Sequence, residues 1–241
     1  MALITGISQR HLSCIETGRA KPSPATLHAL LMTLNTPLEQ CNNVFLAAGY
    51  APRYEASPLA APSMDAIRGA IGHVLHANNP APAIVLGSNW DVLAANASTT
   101  VLFDLVGLST DAADGLNLLR TLLQPGGLGD HLLNAEEVRA VAWQRAAREA
   151  LDNPELAKLL DTLPAGRSPA PLANEFPPLL MTRINSAQGE LRFLSTFTTF
   201  GMPLDITVAS LRIEHLIPAD APTWQIMTQA YERSLAVPAT A

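Results

Sequence analysis

Residues 190–217 read ELRFLSTFTTFGMPLDITVASLRIEHLI. The run Glu190–Phe200 sets Phe193, Phe197 and Phe200 among Thr196, Thr198 and Thr199, aromatic and β-branched residues that suit a pleated, half-buried surface. Gly201-Met202-Pro203 breaks the run. Ile206–Ile217 then carries Val208, Leu211, Ile213 and Leu216 and predicts a further strand. Just upstream, Leu179–Asn185 predicts a strand, and Ser186-Ala187-Gln188-Gly189 is the turn that pairs it with Glu190–Phe200. A hairpin followed by a long strand makes an antiparallel sheet. Working outward, Ala83–Leu86 is a short apolar run, and Trp90–Ala95 is a second strand beyond the turn Ser88-Asn89.

Helical signals dominate elsewhere. Ser8 can cap a helix through Leu12 and Ile15 that stops at Gly18. Ser23 caps a second helix with Pro24 in its first turn and Leu27, Leu30, Leu31 and Leu34 as its stripe. Thr36 and Glu39 have capping-box spacing around Pro37, ahead of Leu38, Cys41, Phe45 and Ala48, and Gly49 ends that helix. The stretch 51–63 is rich in Pro, Ala and Ser and reads as a linker. Ser63, Asn96, Asn134 and Pro154 open further helices, 164–178 is a Pro-rich connection, and Asp220–Ala236 closes the chain as a helix. Helices gathered ahead of an antiparallel sheet define an α+β fold.

The 241 residues are 48% hydrophobic and 15% charged, with mean hydropathy +0.18, which supplies a core and excludes a wholly disordered chain. The net charge of −6 argues against a general polyanion binder, but it is unevenly placed. Residues 1–54 carry Arg10, Arg19, Lys21 and Arg53 against Glu16 and Glu39, so a small basic head precedes an acidic body. Cys14 and Cys41 make neither a disulfide framework nor a metal knuckle, which points to a reduced, cytoplasmic setting. No apolar run is long enough to span a membrane, so no membrane partner is expected. His73 and His76 lack a third ligand nearby and read as surface residues; no metal or other cofactor is expected. No phosphate loop, Gly-x-Ser-x-Gly or nucleophile–base pattern is present, so the chain does not read as an enzyme.

Residues 7–24, ISQRHLSCIETGRAKPSP, resemble the second half of a phage-repressor (Xre) type helix-turn-helix. The form QRHLS-IETGRA, with LAAGYAP at Leu46–Pro52, is similar to the MmyB-like transcription regulators. WDVLAAN at Trp90–Asn96 resembles that family's PAS-like strand-to-helix entry, and residues 193–220 resemble its C-terminal sheet. The resemblance implies a DNA-binding head at 1–54, a linker at 55–62 and a PAS-like ligand-binding domain with flanking helices at 63–241. It also implies a fatty acid or similar apolar small molecule as ligand. Met1–Thr5 matches only the end of the family's positioning helix, so the head is expected to be partial.

In such a head the N-terminal residues of the recognition helix meet base edges of double-stranded DNA. Gln9 and Arg10 follow the Ser8 cap and suit adenine and guanine. Cys14 shares the face of Arg10, Ser13 can reach phosphate, and Arg19 and Lys21 lie in the loop where phosphates pass. A two-fold operator calls for a homodimer. For the ligand, Trp90, Phe193 and Phe197 can wall an apolar pocket, and Arg212, like Arg183 and Arg192, can pair a carboxylate. The expectation is a ligand-responsive transcriptional regulator. The alternative is a sensor or protein-interaction module whose helix-turn-helix no longer binds DNA.

Overall fold

A computed structural model of the chain describes residues 2–108, 115–164 and 179–236. Its packing forms two units: Met1–Ala61 with Phe200–Ala209, and Pro62–Thr199 with Ser210–Ala241.

The first unit holds α1 (Ala2–Thr5), α2 (Gln9–Glu16), α3 (Pro24–Thr33) and α4 (Leu38–Ala47). Ser8 and Ser23 cap α2 and α3 through their side chains, accepting from the His11 and Thr26 N–H groups. Gly18, at φ +71°, takes the left-handed turn that ends α2. Thr36 does not cap α4. Pro37, extended at ψ 146°, precedes Leu38 directly, leaving Thr36 a residue too far upstream. Leu27, Leu31, Cys41 and Phe45 form the core of this unit, so Cys41 is a packing residue. Asn42 ties down the following chain: its Oδ1 accepts from Arg53 and Tyr54 N–H, and its Nδ2 donates to Tyr54 O. The segment 200–209 joins this unit by two hydrogen bonds, Ile206 N–H to Glu55 O at 2.8 Å and Ser57 N–H to Asp205 Oδ2 at 3.0 Å.

The second unit is built on a five-stranded sheet, order β2-β1-β5-β4-β3, with every neighbouring pair antiparallel. Its strands are β1 (Ala83–Leu86), β2 (Val92–Ala95), β3 (Met181–Ser186), β4 (Gly189–Thr198) and β5 (Arg212–Pro218). The last strand is central, joining the β1–β2 and β3–β4 hairpins. Residues 206–210 are not strand, as expected from their apolar pattern, but α10 (Ile206–Ser210). Asp205 Oδ1 accepts from Thr207 and Val208 N–H, and that local capping overrides the β propensity. Trp90 likewise lies before β2, at φ +66° in the β1–β2 turn.

The remaining helices are α5 (Asp65–Asn78), α6 (Ala97–Val106), α7 (Leu118–Leu123), α8 (Ala135–Glu149), α9 (Pro154–Thr162) and α11 (Ala221–Ala236). Ser63 does not cap α5, because residues 62–64 form a 3-10 turn that delivers Met64 as the cap. Asn134 makes no backbone cap on α8. Its side chain turns to β3, accepting from Arg183 N–H and donating to Met181 O. The expected Pro-rich connection lies, from 165 to 178, outside the described residues. The main core gathers Leu102, Leu119, Leu156 and Met227 from the helices with Ile184, Leu191 and Phe193 from the sheet. Gly129 passes so close to Leu122 O that a methyl group there would meet the backbone, and this seats Leu128 inward.

Asn96 joins the sheet to α6. Buried at 5% exposure, its Oδ1 accepts from Ala83 N–H and Thr99 N–H, and its Nδ2 donates to Leu75 O and Ala81 O. Asn96→Ala removes the cap and strands several buried groups, so a loss of about 2–4 kcal/mol is expected in urea denaturation.

Candidate ligand pocket and DNA-facing helix

Alternation along β5 puts Arg212, Glu214 and Leu216 on one face and Ile213 and His215 on the other. The register sets Leu86 beside Arg212, Ile84 and Phe197 beside Glu214, and Ser195 beside Leu216. This face borders a cavity of about 90 Å³ walled by Ile84, Leu102, Phe103, Leu122, Val138 and Leu216, among others. Three threonines, Thr99, Thr121 and Thr182, add polar points, and Glu214 is the one charged residue of the wall among the described residues. An apolar cavity with few polar groups is the usual form of a small-molecule site.

Two residues from Glu214 along the same face of β5, Arg212 belongs to a cluster of cations and aromatic rings. Arg212, 12% exposed at its side chain, donates through Nη1 to Glu149 Oε2 at 2.9 Å. Its guanidinium lies 4.6 Å from the Trp90 ring centre. Trp90, 3% exposed, donates its indole N–H to the same Glu149 oxygen at 2.8 Å. Arg145 Nε donates to Glu149 Oε1 at 3.1 Å, and its guanidinium lies 4.1 Å from the Phe197 ring and 5.3 Å from Trp90. Two donors are left over: Nε and Nη2 of Arg212 are buried and have no acceptor among the described residues. They form one edge of the guanidinium, the edge that takes a carboxylate side-on with two parallel hydrogen bonds. Burial pulls the Arg212 pKa down, and Glu149 opposes that shift.

Of the residues picked from sequence, Trp90, Phe197 and Arg212 thus come together, in the cluster and not in the wall of the cavity. Phe193 is fully buried in the core and does not line the cavity. Arg183 and Arg192 both bind Glu190, at 2.7 and 2.8 Å, and sit 43% and 47% exposed; the two arginines hold the Glu190 carboxyl down at about 2. Glu149, Arg145 and Glu214 were not singled out from sequence. The i,i+4 spacing of Arg145 and Glu149 is common on any helix, and nothing in β5 alone marks Glu214 as facing inward.

In the other unit, Gln9, Arg10 and Ser13 are exposed along α2, Cys14 is half-buried on the same helix, and Arg19 and Lys21 are exposed in the loop that follows. Lys21 Nζ rests 4.5 Å from the Tyr50 ring centre, while the Tyr50 hydroxyl donates to Pro22 O. No residue of α2 is fully buried, and Leu3 and Ile4 on α1 are 95% and 76% exposed.

An antiparallel sheet with its last strand central, helices against it and an apolar cavity between them define a PAS-like α+β domain. Residues 67–230 match the family model of the MmyB-like transcription regulator ligand binding domain, and the chain belongs to that family. A solved structure of an RNA-binding Light-Oxygen-Voltage receptor is similar over 98% of this chain, at 14% identity and TM-score 0.29. The chain spans 56% of that structure's length, and the likeness is too slight to bear on function. Among curated proteins none matches. Among the described residues, no helix is long and apolar enough to cross a membrane and no group of side chains could hold a metal ion.

Burial raises the Glu214 carboxyl pKa, against the Ser195 hydroxyl and the charges of Arg145 and Arg212, which lower it. An acid raised in the folded state stabilises most below its unfolded pKa, about 4.3, and that stability is lost as pH rises through the folded value. Glu214→Gln, neutral throughout, is therefore expected to be the more stable protein at neutral and alkaline pH. The gap should close below about pH 4, read as urea midpoints across pH.

Proposed function

We propose that the chain is a cytoplasmic, non-enzymatic transcriptional regulator that binds double-stranded DNA as a homodimer and responds to a fatty acid or similar apolar acid. The observation that carries the ligand reading is the buried Nε/Nη2 edge of Arg212, without a partner among the described residues and two residues along the strand from Glu214 in the wall of an apolar cavity, in a domain whose family is defined by ligand binding. The acyl chain enters the cavity, where each buried methylene is worth about 0.8 kcal/mol. The carboxylate takes the free edge of Arg212, with Trp90 and Phe197 as walls.

Native mass spectrometry of protein purified without detergent, together with thermal shifts for acids of increasing chain length, tests this. Affinity is expected to climb with length until the pocket is full. Decanoic acid should bind at least about tenfold more tightly than its methyl ester, since a charged hydrogen bond is worth about 1.5–3 kcal/mol. Arg212→Met should erase that difference. A clean apo mass with no shift from any acid would overturn the ligand reading.

For the head, exposed Gln9 and Arg10 on α2 are read as the base contacts, with Ser13 and Cys14 beside them and Arg19 and Lys21 on phosphates. Arg10→Ala is expected to cost about 1–3 kcal/mol on the cognate site alone, measured by anisotropy titration. Lys21→Ala should weaken binding to every sequence and flatten the salt dependence. A second reading, a sensor without DNA activity, draws on the exposed Leu3 and Ile4 and the lack of any buried residue on α2. Absence of binding to genomic fragments at low salt would favour it.

A further inference from the structure

Glu214 is a costly residue to place where it stands. Its side chain forms part of the wall of an otherwise apolar cavity, and burial acts on it as the largest influence. A carboxylate can accept about four hydrogen bonds. Among the described residues Glu214 receives one, from the Ser195 hydroxyl to Oε1 at 2.5 Å. Neither nearby arginine donates to it: Arg212 Nη1 and Arg145 Nε both serve Glu149. A part-buried acceptor with spare capacity therefore stands two residues along the same strand face from a buried donor edge that has no acceptor among the described residues. At the usual rise of a strand their Cα atoms are about 6.6 Å apart.

These two unmet demands are opposite in kind. A plain carboxylic acid satisfies Arg212 but offers no donor to the spare acceptor positions of Glu214. A ligand with a hydroxyl next to its carboxylate meets both at once: the carboxylate accepts from Arg212 Nε and Nη2, and the hydroxyl donates to Glu214. Simple apolarity of the cavity selects for the chain but not for this head.

We infer that Glu214 is a specificity-determining residue, and that the preferred ligand is an apolar-chain hydroxy acid with its hydroxyl on the α- or β-carbon. The inference rests on the reading of Arg212 as the carboxylate anchor and adds the second half of the head-group recognition. Glu214 also explains discrimination in the other direction, because a site built to pair a hydroxyl rejects the analogue that lacks one more strongly than an apolar pocket can.

The test compares decanoic acid with β-hydroxydecanoic acid by calorimetry on the full chain. The hydroxy acid is expected to bind about tenfold or more tightly in the unaltered protein. In Glu214→Leu the two acids should bind equally, with decanoic acid no weaker than before. Ser195→Ala, which removes the competing hydroxyl and leaves the carboxylate in place, should keep the preference, and unchanged far-ultraviolet circular dichroism checks that each variant is folded. Equal binding of the two acids to the unaltered protein overturns the role of Glu214 while leaving the Arg212 anchor standing. A preference that survives in Glu214→Leu overturns it as well. Binding of neither acid removes the anchor itself, and the inference falls with it.

Discussion

The carboxylate of Glu149 is the contact on which the cluster of arginines and aromatic rings at β5 depends. It is the last residue of α8, and it gathers an indole N–H from the β1–β2 turn, a guanidinium from β5 and another from its own helix. Without it, Arg145 and Arg212 would lose the carboxylate to which both donate, and the Trp90 N–H would be left unpaired. Losing one partner of an ion pair costs up to about 3–5 kcal/mol when the pair is fully buried and less for Glu149, which is 29% exposed, whereas each cation over a ring is worth about 0.5–2 kcal/mol. The carboxylate therefore sets the arrangement, and the stacking follows from it. By engaging Nη1 alone it leaves the opposite edge of Arg212 open.

Much of the architecture was legible in short-range chemistry. The Ser8, Ser23 and Asn96 caps act where the spacing puts them, and the hairpin closes at Gly189, at φ +110°. Failures came where one polar side chain had two suitors. Asp205 was not singled out beside the Gly201-Met202-Pro203 break, yet it caps α10 and turns a β-like run into a helix. Asn134 has every feature of a cap and instead binds the edge of β3, a partner 47 residues away that no local window contains. Trp90 has strong strand propensity, but the turn places it at positive φ, where the Glu149 hydrogen bond and burial of the ring hold it.

The three strand arginines show the same limit in the site. Arg183, Arg192 and Arg212 look alike in sequence, and a carboxylate partner could be imagined for each. The register decides among them: the β3–β4 hairpin brings Glu190 within reach of Arg183 and Arg192 on an exposed face, so both are already satisfied. Arg212 is central in the sheet, faces the helices and meets a carboxylate that fills only one of its nitrogens. Legibility thus ran to the residue types and the strands that bear them. It did not reach the charge partners, which come from α8 and from the neighbouring strands.

The division of the chain at Phe200–Ala209 bears on how such a regulator can be taken apart. The segment leaves the sheet after β4, belongs with Met1–Ala61, and returns to begin β5. Head and sensor are consequently threaded through one another in the primary structure, not strung in series like beads. A gene fusion that swapped only the first 61 residues would carry across a foreign partner for a loop evolved to meet the old one, leaving the Glu55 and Ser57 contacts of Asp205 and Ile206 unmatched. Exchange of modules by recombination would have to replace the loop along with the head, so the two parts are expected to diverge together.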